Sequence, residues 1–177
     1  MKYSFSLIPF TPDAAPSVQI TGNIERRHNQ LNIEYTLAGR SQILIPETSN
    51  RPTRQFNLWQ HTCCEFFLGL QDSTQYWEFN LSPAGHWNIY RFLDYRQDLM
   101  EEIAFDSLPF QVLPENDTLQ LKLQVNLNKI ITPEQSLQVG ITTVIEDRES
   151  QLSYWALTHS TIEADFHHQA IQLQNPG

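Results

Sequence analysis

Residues 76–92 read YWEFNLSPAGHWNIYRF, two aromatic-rich runs flanking SPAG. SPAG reads as a three-residue hairpin loop, with Pro83 and Ala84 in a type I turn and Gly85 at the left-handed bulge position. That turn sets Ser82 opposite His86, Asn80 opposite Asn88 and Glu78 opposite Tyr90. One face of the hairpin then carries Tyr76, Glu78, Asn80, Asn88 and Tyr90. The other carries Trp77, Phe79, Leu81, Trp87 and Ile89, with Arg91 as its misfit. A one-residue slip would mix the two sets, which a packed core does not tolerate. The tryptophans at 77 and 87 are therefore core, and the polar face is the one open to recognition or to water.

The same period of two runs through the chain. In LQLKLQVNL, residues 119–127, every odd position is apolar and every even one polar, the pattern of a half-buried antiparallel strand. Further strands are expected at 3–10, 18–25, 31–37, 63–70, 86–92, 137–146, 152–157 and 169–173. TPDAAP, RHNQ, QDST, PEND and EDRES separate them as turns. Residues 94–103 suit a short helix or an irregular crossover, 128–135 a single turn, and 40–55 a long loop over one end. Many short strands and few or no helices predict an all-β fold, an antiparallel β-sandwich, or else a barrel, spanning residues 1–177 as one domain.

Composition narrows function further. Among 177 residues, 20 Asp+Glu against 11 Lys+Arg leave a formal net charge of -9. Such a surface repels phosphate backbones and anionic headgroups, so neither nucleic acid nor membrane is the expected partner. The N-terminal MKYSFSLIPF lacks the unbroken apolar core of a secretory signal, so the expected location is cytoplasmic. Cys63 and Cys64 point to opposite faces of an extended strand, and both are expected reduced.

Glu65 interrupts the apolar strand CCEFFLGL. It either shares the polar face with Glu78 or pairs with a cation such as Arg91 or Arg96. Carboxylates, amides and phenols on one face suit a polyol, whose hydroxyls they bind while an aromatic covers the ring. The plain alternative is a sheet face washed by water. Glu65 and Glu78 also suggest an acid–base pair for glycoside cleavage, but no second signature supports catalysis. His159, Asp165 and His167 are weak candidates for a metal, without a helical pair to fix their geometry. Met100 and the histidines offer unspecific haem ligands. No GxGxxG, GxxxxGK[ST] or GxSxG is present.

LWQHTCCEFFL, YWEFNLSPAGHWNIYRFLDYR, SYWALTH and ADFHHQAIQLQ together resemble the cytoplasmic DOMON-like proteins of bacteria, which are similar to family 9 carbohydrate-binding modules. The resemblance runs from about Leu58 to the C-terminus. It implies a non-catalytic β-sandwich that binds sugar or haem. In the sugar binders, aromatics sandwich a terminal sugar and polar side chains read its hydroxyls. Trp59 matches the Trp before the EFF strand. Glu65, Glu78 and Asn80 match polar positions, and Arg91, Tyr95 and Arg96 follow the hairpin. Trp155 is the candidate second stacking residue, or else core.

The expected site is thus Trp59, Glu65, Tyr76, Glu78, Asn80, Asn88, Tyr90, Arg91, Tyr95, Arg96 and Trp155. Its expected occupant is a saccharide or similar small polar molecule, with no cofactor. A haem-binding domain of the same fold and a metal-dependent enzyme are the alternatives.

Overall fold

In the computed structural model, which describes residues 2–159, 167 and 171–173, two antiparallel sheets pack face to face. The five-stranded sheet runs β1 (Lys2–Ser6), β3 (Gln19–Arg27), β4 (Gln30–Ala38), β10 (Thr118–Asn126) and β9 (Phe110–Glu115). The eight-stranded sheet runs β2 (Ile8–Pro9), β12 (Leu152–Ala156), β11 (Leu137–Glu146), β5 (Cys63–Leu70), β6 (Tyr76–Leu81), β7 (Trp87–Phe92) and β8 (Met100–Glu101). In it, β13 (Ile171–Leu173) pairs with the first residues of β11, beyond the end of β12. The expected β-sandwich is the fold found, and the described residues contain no α-helix.

Alternation places the core. In β10, Leu119, Leu121, Leu123 and Val125 are buried while the intervening residues face outward, and in β4 Leu31, Ile33, Tyr35 and Leu37 do the same. They meet Phe66, Leu68, Trp77, Phe79, Leu81, Trp87 and Ile89 of the larger sheet in one apolar cluster. Phe66 and Phe79 stack across β5 and β6 with ring centres 4.5 Å apart. Gly22 of β3 carries no side chain where the Phe5 ring crosses it; a Cβ there would overlap both that ring and the Glu34 carbonyl.

The SPAG hairpin forms in the expected register. Gly85 donates to the Ser82 carbonyl and Ser82 to that of His86, both at 2.9 Å, and Gly85 takes φ +95°. Leu81 faces Trp87, Asn80 faces Asn88 and Glu78 faces Tyr90.

Several local expectations are corrected. The first strand breaks at Leu7, because β1 pairs in the smaller sheet and β2 in the larger, so the chain changes sheets there. Residues 94–103 take the second of their two expected forms, the irregular crossover: Arg96 and Asp98 have positive φ, Asp94 bridges Gln97, and Met100–Glu101 pairs with β7. An unexpected edge strand, β9, completes a hairpin with β10. The loop 40–55 does lie over the hairpin tip, Ser49 donating to the Ala84 carbonyl, and it ends by running beside Trp87.

Candidate functional site

The face opposite the sandwich core proves not to be open to water. Tyr76, Glu78, Asn80, Asn88 and Tyr90 are all buried, as is Glu65. The register arranges this face in rows across the strands. One row runs Thr142, Glu65, Asn80, Asn88; the next runs Phe67, Glu78, Tyr90; a third joins Tyr76 and Phe92. Phe67, Tyr76, Tyr90 and Phe92 make a second apolar cluster, against which Trp59 packs. Tyr76 and Phe92 are stacked, with ring centres 4.6 Å apart.

Segments remote in sequence supply the cover. The turn Leu58–Gln60, entered through Asn57 at φ +59°, lays Trp59 edge-on to Tyr90 at 5.6 Å. The crossover after β7 brings Arg96, whose backbone N–H donates to Tyr76 Oη at 3.0 Å. His167 Nδ1 bonds the same phenol at 2.6 Å, and its ring contacts Phe67 and Phe92.

Between sheet and cover remains a cavity of about 530 Å³, within the range of small-molecule sites. Glu65, Phe67, Glu78, Phe92 and Val144 form its floor. Trp59 and Gln60 stand on one side, Leu152 and Tyr154 on β12, and Arg96, Leu99 and His167 complete the lining.

Of the residues expected at a site, Trp59, Glu65, Glu78 and Arg96 line this cavity. The others do not. Asn88 is occupied structurally: Arg54 donates to its Oδ1, and its amide reaches the Gln55 carbonyl, Tyr90 Oη and Glu101. Asn80 is buried beside Glu65 on the same face, outside the lining, and donates to Glu78 Oε1 at 2.9 Å. Tyr76 and Tyr90 brace the cover. Tyr95 stands outside, its ring 5.9 Å from that of His167. Arg91 sits opposite Trp77 on the sandwich-core side of the sheet, near the β8 edge, and so cannot pair with Glu65.

Trp155 takes the core position, the second of its two expected places. It pairs opposite Thr143, is 4% exposed, and joins the inter-sheet cluster. Its neighbour Tyr154, opposite Val144, faces the cavity instead. Tyr154, Leu152 and Gln60 are lining residues that the sequence pattern does not single out. The one signal for Tyr154 is alternation along SYW, which becomes decisive only once β12 is registered on β11.

The two floor carboxyls are diagonal neighbours on β5 and β6. Thr142 Oγ1 donates to Glu65 Oε2 at 3.2 Å. Glu65 Oε1 is buried without a hydrogen-bond partner. The Cys63 thiol beside it is directed to the Cys64 carbonyl at 3.8 Å. Burial above all, then the nearby Glu78, hold the Glu65 carboxyl well above the usual range, against the opposing pull of Thr142 and Cys63. Burial likewise raises Glu78 to about 7, with Asn80 opposing. Both shifts favour the protonated form of the carboxyl, which can donate as well as accept, and they place Glu78 near its midpoint at neutral pH.

Among the remaining candidates, His159 Nε2 bonds the Ile8 carbonyl at 2.8 Å, and Met100 lies on the exposed β8 edge opposite Arg91. Asp165 lies outside the described residues, among which no group of three His, Cys, Asp or Glu side chains is placed to hold a metal ion. Both cysteines are buried free thiols.

No protein-family profile matches the chain. No curated protein sequence matches it either. Solved structures do. A protein from Bacteroides uniformis, proposed to bind carbohydrate, superposes with a TM-score of 0.68 at 11% identity, covering 96% of this chain and 84% of its own. A family 9 carbohydrate-binding module from Caldicellulosiruptor kristjanssonii in complex with cellotriose gives 0.50 at 11% identity, over 81% of this chain and 67% of that one. At such identities the likeness is one of fold.

Proposed function

We propose that this protein is a binding module that holds a small saccharide in the cavity on the outer face of its larger sheet, without breaking bonds in it. The observation that carries the reading is the composition of that cavity. Trp59 and Tyr154 offer apolar ring faces, while Glu65, Glu78, Gln60 and Arg96 offer acceptors and donors around an otherwise apolar floor. Sugars need both kinds of contact, since their rings have apolar faces and hydroxyl rims.

The resemblance of its motifs to DOMON-like proteins favours the same assignment, and the two fold neighbours are named for carbohydrate binding. Trp59 and Tyr154 take the stacking role, Tyr154 replacing Trp155. Glu78 and Glu65 read hydroxyls, and Arg96 adds charge-assisted contacts.

Isothermal titration against a panel of mono- and oligosaccharides tests this. The expected result is saturable heat with at least one sugar, weakened about tenfold or more in Trp59→Ala. No heat with any sugar, or affinity unchanged by that substitution, refutes it.

A further inference from the structure

The floor of the cavity has an unusual charge arrangement. Two carboxyls, Glu65 at 2% exposure and Glu78 at 7%, occupy adjacent strands with only polar neutral groups in support. Thr142 satisfies one oxygen of Glu65 and Asn80 one of Glu78. Glu65 Oε1 has no partner, and among the described ion pairs neither carboxylate meets a cation. Buried carboxylates are normally paired, because an uncompensated charge is strongly unfavourable even after relaxation.

Three further features favour one kind of partner. Phe67 and Phe92 flank the carboxyls on the floor, with Trp59 and Tyr154 on the walls, and aromatic faces attract cations. The groups able to be positive in the lining, Arg96 and His167, come from the crossover and the C-terminal segment and not from the strands of the floor. The net charge of -9 draws positive ligands toward the molecule.

We infer that the cavity selects an amino sugar, its protonated amine seated against Glu65 and Glu78 and its ring against the aromatic walls. An ammonium group has only donors, which suits a floor of two carboxyls that become acceptors throughout once they ionise against it. The ring hydroxyls fall to Gln60 and Arg96. This deepens the saccharide reading and rests on it.

Seating the amine ionises the floor, so binding at neutral pH releases protons to solvent. Titration calorimetry of the unmodified protein with glucosamine, N-acetylglucosamine and glucose, repeated in buffers of different ionisation enthalpy, separates the possibilities. Glucosamine is expected to bind about tenfold or more tightly than the two neutral sugars, with proton release. The double variant Glu65→Gln, Glu78→Gln is expected to stay folded by circular dichroism and to lose the preference. Equal or tighter binding of glucose or N-acetylglucosamine, or amine binding without proton release, overturns the inference and leaves the saccharide site standing. Failure of every sugar overturns both.

Discussion

Tyr154 and Trp155 are consecutive in β12 yet serve opposite faces of the larger sheet. Tyr154 lies opposite Val144 and borders the cavity, while Trp155 lies opposite Thr143 and fills the space between the sheets. Trp155→Ala is expected to cost about 3–5 kcal/mol of stability through the void it leaves. Tyr154→Ala is expected to stay within about 1 kcal/mol of the parent while weakening sugar binding. Urea denaturation beside calorimetry of both variants checks the division; equal destabilisation by the two would contradict it.

Glu65 and Glu78 also make stability depend on pH. Their folded pKa values lie above the ordinary 4.5, Glu78 at about 7 and Glu65 well above the usual range. Between the unfolded and folded values the folded chain keeps protons that the unfolded chain has released. Their contribution is therefore greatest below the unfolded value and is lost as pH rises through the folded ones. Each group loses about 1.4 kcal/mol for every pH unit that separates its two pKa values. Thermal unfolding between about pH 5 and pH 8 is expected to show falling stability, and Glu78→Gln to flatten the slope. A variant with an unchanged slope would remove Glu78 from this role.

How much of this is legible in the residues depends on distance along the chain. The SPAG register follows from turn chemistry and alternation, both local, and LQLKLQVNL declares its own buried face. Strand β9 does not, because FQVLPE carries Pro114 and lies at an edge where none of its residues is fully buried. The burial of Glu78 is invisible for another reason. Its cover comes from Trp59, Arg96 and His167, whose arrival depends on tertiary packing and not on the hairpin's own pattern.

Arg54 shows the same limit. Nothing in its loop distinguishes it, yet it donates to Asn88 Oδ1 at 2.8 Å and to the Glu102 and Phe105 carbonyls at 3.0 and 2.7 Å. Its guanidinium lies 4.3 Å from the centre of the Trp87 ring. Arg54→Ala is expected to cost about 2–4 kcal/mol by leaving the Glu102 and Phe105 carbonyls without this donor, and Arg54→Lys to restore little, since the planar fork serves all three acceptors. Arg91→Ala is the matched control, expected within about 1 kcal/mol. Chemical denaturation decides, and full rescue by lysine would contradict the fork geometry.

Gly85 provides a test of the hairpin. At φ +95° any side chain is strained, and an added Cβ would also press on Pro52 at 3.3 Å. Gly85→Ala is expected to lower stability by about 1–2 kcal/mol. An unchanged unfolding midpoint would show that the bulged turn is not the conformation in solution.

The most direct test of the binding account is a crystal structure of the protein grown with the saccharide that titrates most strongly. The account predicts sugar density in the cavity on the outer sheet face, with a ring face against Trp59 or Tyr154 and polar contacts to Glu78 or Glu65. Sugar bound at another surface, or a cavity empty at saturating sugar, would contradict it.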